Sequence, residues 1–293
     1  MRGERGLIQV PIKSSGVWLF GVAVFSALFL LAACSDAGGE EKADSVKIGR
    51  VRIALDATSL AHAAGGVDGS TYEIREAAQG GVLLGRVSSM SVRDTLITPT
   101  VDEAVCSPFQ RQLAAGASGG VPNAAVWLVG VAAGPGLDGK RRLQLALKGC
   151  KLDPYMQVAI PGSTILVSSG DAMMSRIRFD MLGTSGPSLE SLLFSDAGQV
   201  VPTSRATEHP GLVRISDDKH PWISGWLLVS PHPFVALTGE DGSFRMENVP
   251  AGQYQLVVWH EYLGTRHLAV TVREGVQTAV EIEYPGLGLS PES

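Results

Sequence analysis

Val213 to Glu261 reads VRISDDKHPWISGWLLVSPHPFVALTGEDGSFRMENVPAGQYQLVVWHE, and two signals abut within it. The first, Asp217-Asp218-Lys219-His220-Pro221-Trp222-Ile223, has the shape of a metal-binding loop that has lost most of its ligands. The second runs from Leu237 to Phe244 and on through Val249-Pro250-Ala251-Gly252-Gln253-Tyr254. It predicts strand, turn, strand, turn, strand. Asp241-Gly242 supplies the positive-φ turn of a tight hairpin, and Pro250-Ala251-Gly252 the next reversal. Phe244, Met246, Tyr254, Leu256 and Val258 alternate as core positions should, whereas Val257-Val258-Trp259 is apolar throughout and leaves its phase open.

Outward from this stretch the same grammar continues. Strands are predicted at Gly81–Ser88, Val121–Gly130, Leu143–Leu147, Met156–Ile160, Thr164–Ser168, Arg176–Phe179 and Gly211–Ile215, each bounded by Gly, Pro or Asp. After the central stretch come Gln253–Trp259, Arg266–Val272 and Thr278–Tyr284. Thr184–Pro210 reads as loop with a short helix over Ser188–Leu193, and Asp68–Ala78 as a turn of helix. With 35 Gly and 16 Pro in 293 residues, the fold class is all-β, built as sandwiches. A net charge of −5 argues against a nucleic-acid partner, which requires a basic face.

The N-terminus speaks to location. Arg2, Arg5 and Lys13 precede an apolar run, Val17–Ala33, that ends in Leu31-Ala32-Ala33-Cys34. This is a secretory signal over 1–33, too short and wrongly flanked for a comfortable membrane span. It resembles a bacterial lipoprotein signal with Leu-Ala-Ala-Cys as the lipobox. That resemblance implies a diacylglyceryl group and an N-acyl chain (palmitate or similar) on Cys34. Ser35, rather than Asp, after the Cys favours the outer membrane by the family's sorting rule. Ser35–Lys47 is small, polar and charged, and with Cys34 makes a flexible tether over 34–47. Residues 48–80 carry a short alternating run, Val51–Leu55, and no readable role. Cys106 and Cys150 form an even pair in an oxidising compartment, so a disulfide is the first reading and a thiol active site the second.

Residues 140–230 resemble a cupredoxin domain, specifically the plastocyanin-like modules of bacterial envelope proteins. The likeness rests on Cys150-Lys151-Leu152-Asp153-Pro154, Pro161–Val167 with Gly170-Asp171, and His220-Pro221-Trp222. The family's copper site takes two imidazoles, one thiolate and an axial thioether. Carried over by position, the first His falls on Ser175, the Cys on Asp217, the second His on His220 and the Met on Ile223. Three of four ligands are absent. The expectation is a cupredoxin-like Greek-key sandwich without copper. A carboxylate–imidazole site for zinc or copper(II) at Asp217, Asp218 and His220 is the other possibility, set against a solvated loop with His220 packed beside Trp222.

The Asp241-Gly242 hairpin with Val249–Tyr254 resembles the carboxypeptidase regulatory-like domain, a transthyretin-like or Cna-B-like sandwich. Gly85-Arg86-Val87 and Pro122–Leu128 match that family's opening strands from far upstream. Residues 81–135 and 231–285 are therefore read as one discontinuous sandwich, with two sandwiches in series as the alternative. His260-Glu261 and His232 read as strand-end and turn residues. No phosphate loop or zinc-protease helix is present, and no Gly-x-Ser-x-Gly stretch is read as a strand-to-helix nucleophile elbow, so no enzyme is predicted. The functional expectation is a membrane-anchored, non-catalytic binding or scaffold module whose partner is an envelope protein or a glycan. A periplasmic copper-binding or electron-transfer protein with altered ligands is the alternative. A glycan site would use an aromatic strip from Trp222, Trp226, Trp259 or Tyr262.

Overall fold

Alternating apolar residues punctuated by turn chemistry give strands almost throughout. The computed structural model describes the backbone of 46–47 and residues 72–75, 79–91, 94–112, 115–116, 118–137 and 142–285. These lie within one unit, Lys42–Ser293. The expected signal over 1–33, Cys34 and the strand at Val51–Leu55 lie outside the described residues.

The early strands are β1 (Val46–Lys47), β2 (Glu73–Ile74), β3 (Gly81–Ser89), β4 (Asp94–Ile97), β5 (Phe109–Gln112), β6 (Ala125–Val129) and β7 (Ala133–Gly134). Next come β8 (Arg142–Lys148), β9 (Lys151–Asp153), β10 (Met156–Ala159), β11 (Thr164–Ser169), β12 (Ser175–Met181), β13 (Glu190–Phe194) and β14 (Val200–Thr203). A short 3-10 turn at Arg205–Thr207 precedes β15 (Gly211–Asp217) and β16 (Ser224–Val229). The chain closes with β17 (Val235–Leu237), β18 (Ser243–Val249), β19 (Gly252–His260), β20 (Gly264–Val272) and β21 (Gln277–Tyr284). No helix among the described residues is long and apolar enough to cross a membrane.

Four larger sheets form two sandwiches. Sheets ordered β1-β21-β3-β18 and β17-β6-β19-β20 enclose one core, including Leu83, Val126, Phe244, Leu256 and Val280. Sheets ordered β10-β16-β15-β12-β13 and β14-β11-β8-β9 enclose the other, including Leu145, Ile165, Phe179, Val213 and Leu227. In the first sandwich, β3 pairs with β18 and β21, and β6 with β17 and β19. Strands from before and after β8–β16 thus share sheets. Gly242 makes the β17–β18 reversal at φ +79, and a Cβ there would stand 2.1 Å from the Val87 carbonyl oxygen, so only glycine fits.

A third apolar cluster explains the runs without alternation. Ala125, Trp127, Val257 and Trp259 of the first sandwich meet Met156, Leu212, Trp226 and Leu228 of the second. Leu256 and Val258 face their own core, while Val257 and Trp259 face the neighbouring sandwich. In β16, Leu227 and Val229 turn to one core and Trp226 and Leu228 to the seam. Strands buried on both faces lose the polar half of the alternation. Each large side chain taken out of water at the seam contributes about 1.5–3 kcal/mol. The Trp226 and Trp259 rings meet edge-on, 4.6 Å between centroids.

Several local expectations are corrected. Ser188–Leu193 is not helical, because β13 occupies Glu190–Phe194 and buries Leu192 and Phe194 on one face of a strand. Glu73–Ile74 pairs with β7 instead of opening a helical turn. The end of the expected tether, Val46–Lys47, pairs in parallel with β21. Finally, β4 and β5 form a hairpin within 81–135 whose Ile97, Val101, Cys106 and Phe109 pack on the second core. This strap leaves β3, crosses to the second sandwich and returns towards β6.

Candidate functional site at the Asp217–Ile223 loop

Antiparallel pairing of β12 with β15 sets Ile177 opposite Asp217, and the loop from Asp218 to Ile223 then turns back into β16. The Asp217 N–H donates to the Ile223 carbonyl (3.1 Å) and the Ile223 N–H to the His220 carbonyl (2.8 Å), which closes the loop. Asp217 and His220 are buried together, at 4% and 0% exposure.

Asp217 acts as a hub. Its Oδ1 accepts from the Lys219 N–H (2.8 Å), the His220 N–H (2.8 Å) and His220 Nδ1 (2.7 Å). Its Oδ2 accepts from the Arg176 N–H at 3.0 Å. The other ring nitrogen, His220 Nε2, lies 2.8 Å from Asp102 Oδ2, which also accepts from Lys219 Nζ at 2.6 Å. Asp102 belongs to the strap. The Lys219 ammonium, and then His220, hold its carboxyl below the usual carboxylate range. Both imidazole nitrogens therefore face carboxylate oxygens. The ring also meets Trp222 edge-on at 5.5 Å.

The other two positions carry little donor chemistry. Ile223 is fully buried in the second core. Ser175 is 1% exposed, and its hydroxyl has no partner among the described residues. Met173 is buried against the disulfide that joins Cys106 to Cys150, its sulfur 3.7 and 3.9 Å from theirs. That bond ties the strap to the turn after β8. Asp171 supports the turn by accepting from the Gly149 and Cys150 N–H groups, both at 2.8 Å.

Copper does not suit this donor set. No thiolate stands at 217, Ile223 offers no lone pair, and a metal on His220 would have to displace a carboxylate from a ring nitrogen. Among the described residues, no group of three or more His, Cys, Asp or Glu is arranged to hold a metal. The arrangement instead pins the strap to the loop through a buried imidazole. The sequence offered Asp217 and His220. It gave no sign of Asp102, 118 residues before His220 in a polar segment, and nothing marked Lys219 as its second clamp.

Of the aromatic residues considered for a strip, Trp222, Trp226 and Trp259 are buried, and Tyr262 alone reaches the surface. Beside Tyr262, His260 and Glu261 have displaced titrations of opposite sense. Burial pulls the His260 imidazole down to about 4 and pushes the Glu261 carboxyl up to about 7, the latter against the opposing pull of Arg111. Unfolded chain protonates the imidazole near pH 6.5, so its contribution to stability fades as pH falls from 6.5 towards 4. Unfolded chain releases the carboxyl proton near 4.5, so its contribution fades as pH rises from 4.5 towards 7. Between those limits the slopes oppose. Urea midpoints across pH 4–7 are expected to rise with pH in Glu261→Gln and fall with pH in His260→Gln, each by roughly 2 kcal/mol. Two variants with the same slope would contradict this.

No protein-family model and no curated protein matches the chain. Among solved structures, amicyanin from Paracoccus versutus matches at 13% identity over 32% of this chain and 84% of that one, with a TM-score of 0.27. A purple cupredoxin from Nitrosopumilus maritimus matches at 16% identity over 30% of this chain and 99% of that one, TM-score 0.25. A copper-containing nitrite reductase from Thermus scotoductus matches at 15% identity over 30% of this chain, TM-score 0.25, and the match spans 22% of the reductase.

Proposed function

We propose that this chain is a lipid-anchored protein of the bacterial envelope, held by acyl chains on Cys34, most compatible with the outer membrane, and working as a non-catalytic binding or scaffold module. Its cupredoxin-like sandwich carries no copper. The loop that holds metal in that family serves here as a structural lock. The observation that carries this reading is the saturation of the loop's own donors: both Asp217 oxygens and both His220 nitrogens are engaged within the protein. A second sandwich threaded through the first, with an apolar seam between them, suits a rigid body presenting loops to a partner.

The test is metal content by mass spectrometry on the purified chain after loading with Cu(II) and Zn(II) and desalting. The expected result is less than one tenth of an equivalent of either metal, with the fold unchanged. A stoichiometric metal that disappears in His220→Ala would overturn the proposal and restore a copper-binding or electron-transfer role.

A further inference from the structure

Three parts of the molecule meet around a cavity of about 260 Å³: the strap, the β9–β10 turn with the start of β16, and the loops at one end of the first sandwich. At roughly 30 Å³ of liquid volume per water it has room for about eight waters, the scale of one sugar or amino-acid unit. Its walls mix charge with aromatic surface. Arg111 comes from the strap and Lys151 from β9, while Tyr155 and Tyr262 enter from the two sandwiches. Amide side chains of Gln110 and Asn123 complete it.

The charge is one-sided. The Arg111 guanidinium donates to the Ser224 hydroxyl (3.2 Å) and to the Trp222 carbonyl, both neutral acceptors. Its carbon also lies 5.6 and 5.9 Å from the Phe109 and Tyr155 ring centres. Lys151 Nζ sits 4.4 Å above the Phe109 ring. Aromatic faces hold these cations in place without cancelling their charge. The one acid in the lining is Glu240, exposed at the rim. Glu261, next to Tyr262, lies near Arg111 in space, but burial holds its proton further up the pH scale than an ordinary carboxyl, so it compensates Arg111 less than a fully ionised neighbour would. The Tyr155 ring lines the wall, and its hydroxyl is closed off from solvent.

We propose that this cavity binds a small carboxylate-bearing ligand, its carboxylate held by Arg111 and Lys151, its polar groups by Gln110 and Asn123, and one face by the Tyr155 ring. The proposal rests on the binding-module reading and gives it a ligand class. Acidic sugars and acidic peptide termini share this chemistry. Because the cavity is walled by the strap, the lock at Asp102–His220 and the disulfide hold one side of the site in place. Its ligand can therefore bind without a conformational change at the metal loop.

The experiment is calorimetric titration of the full chain in detergent with D-glucuronate, L-glutamate, glucose and inorganic phosphate at low salt. Saturable binding of glucuronate or of glutamate is expected, with glucose inert and phosphate weaker; the stronger of the two acids identifies the source. Lys151 is exposed, so Lys151→Ala should fold normally and weaken binding about tenfold. Arg111→Gln should weaken it further, with the melting temperature recorded to separate binding from stability. The proposal is overturned by absence of binding to both acids, by equal binding of glucose, or by unchanged affinity in a folded Lys151→Ala. None of these outcomes bears on metal content, so the lock reading stands or falls separately.

Discussion

Replacing Asp217 by alanine is expected to cost about 4 kcal/mol of stability, one of the two largest effects anticipated for any single feature of this chain. The side chain satisfies three backbone N–H groups, of Arg176 in β12 and of Lys219 and His220 in the loop, and one nitrogen of the buried His220 ring. Each donor left dry costs about 1–3 kcal/mol, and water entering the gap recovers part of that. Asp102→Ala removes the other end of the same chain of bonds, but there the carboxylate is partly exposed and its clamp to Lys219 is a surface ion pair. That substitution should cost clearly less than Asp217→Ala, because the ion pair is at the surface and water can replace the carboxylate at His220 Nε2. Urea denaturation of the two variants decides the matter. Costs within 1 kcal/mol of one another would show that Asp217 is not the hub of the loop. The comparison also bears on what a thiolate at this position would do. Cysteine at 217 accepts hydrogen bonds poorly, so it would lose the interactions that now shape the loop before any metal could replace them.

The strands and their turns were legible because local chemistry dictates them. Asp241-Gly242 demands a positive-φ reversal whatever surrounds it, and Phe244 and Met246 then fall on the core side. The apolar run in β19 was legible as a strand but not as a seam, since a run buried on two faces looks the same whether its second neighbour is a sheet of the same sandwich or of another, and β16 was not read as a strand at all. Ser188–Leu193 misled for a related reason. Six residues hold too few turns to separate the two periodicities, and adjacent Leu192 and Leu193 imitate a helix stripe although only Leu192 is buried. At the site, type and position pointed to Asp217 and His220, while their use depended on residues from a different part of the chain. Asp102 and Arg111 lie in a polar segment whose only warning was Cys106. Long-range partners of that kind leave no local pattern.

That cysteine supports the second large effect. The Cys106–Cys150 bond closes 44 residues, and in the chain-entropy account a loop of that size contributes about 4 kcal/mol by restricting the unfolded chain. The loop includes the return from strap to first sandwich as well as β6 and β8, so the crosslink joins elements that otherwise meet only through folded contacts. Reduction is therefore expected to lower the urea midpoint by an amount equivalent to about 4 kcal/mol, and the double substitution Cys106→Ser, Cys150→Ser to match it. The strap should remain seated after reduction, because Asp102 still meets His220 and Arg111 still meets Ser224. A thiol count made in denaturant tests the premise first. Two additional thiols must appear on reduction, and a count that does not change would remove the bond and this argument with it. If the count rises but the midpoint does not move, the crosslink does not restrict the unfolded chain enough to set stability, and the chain-entropy account fails for this bond.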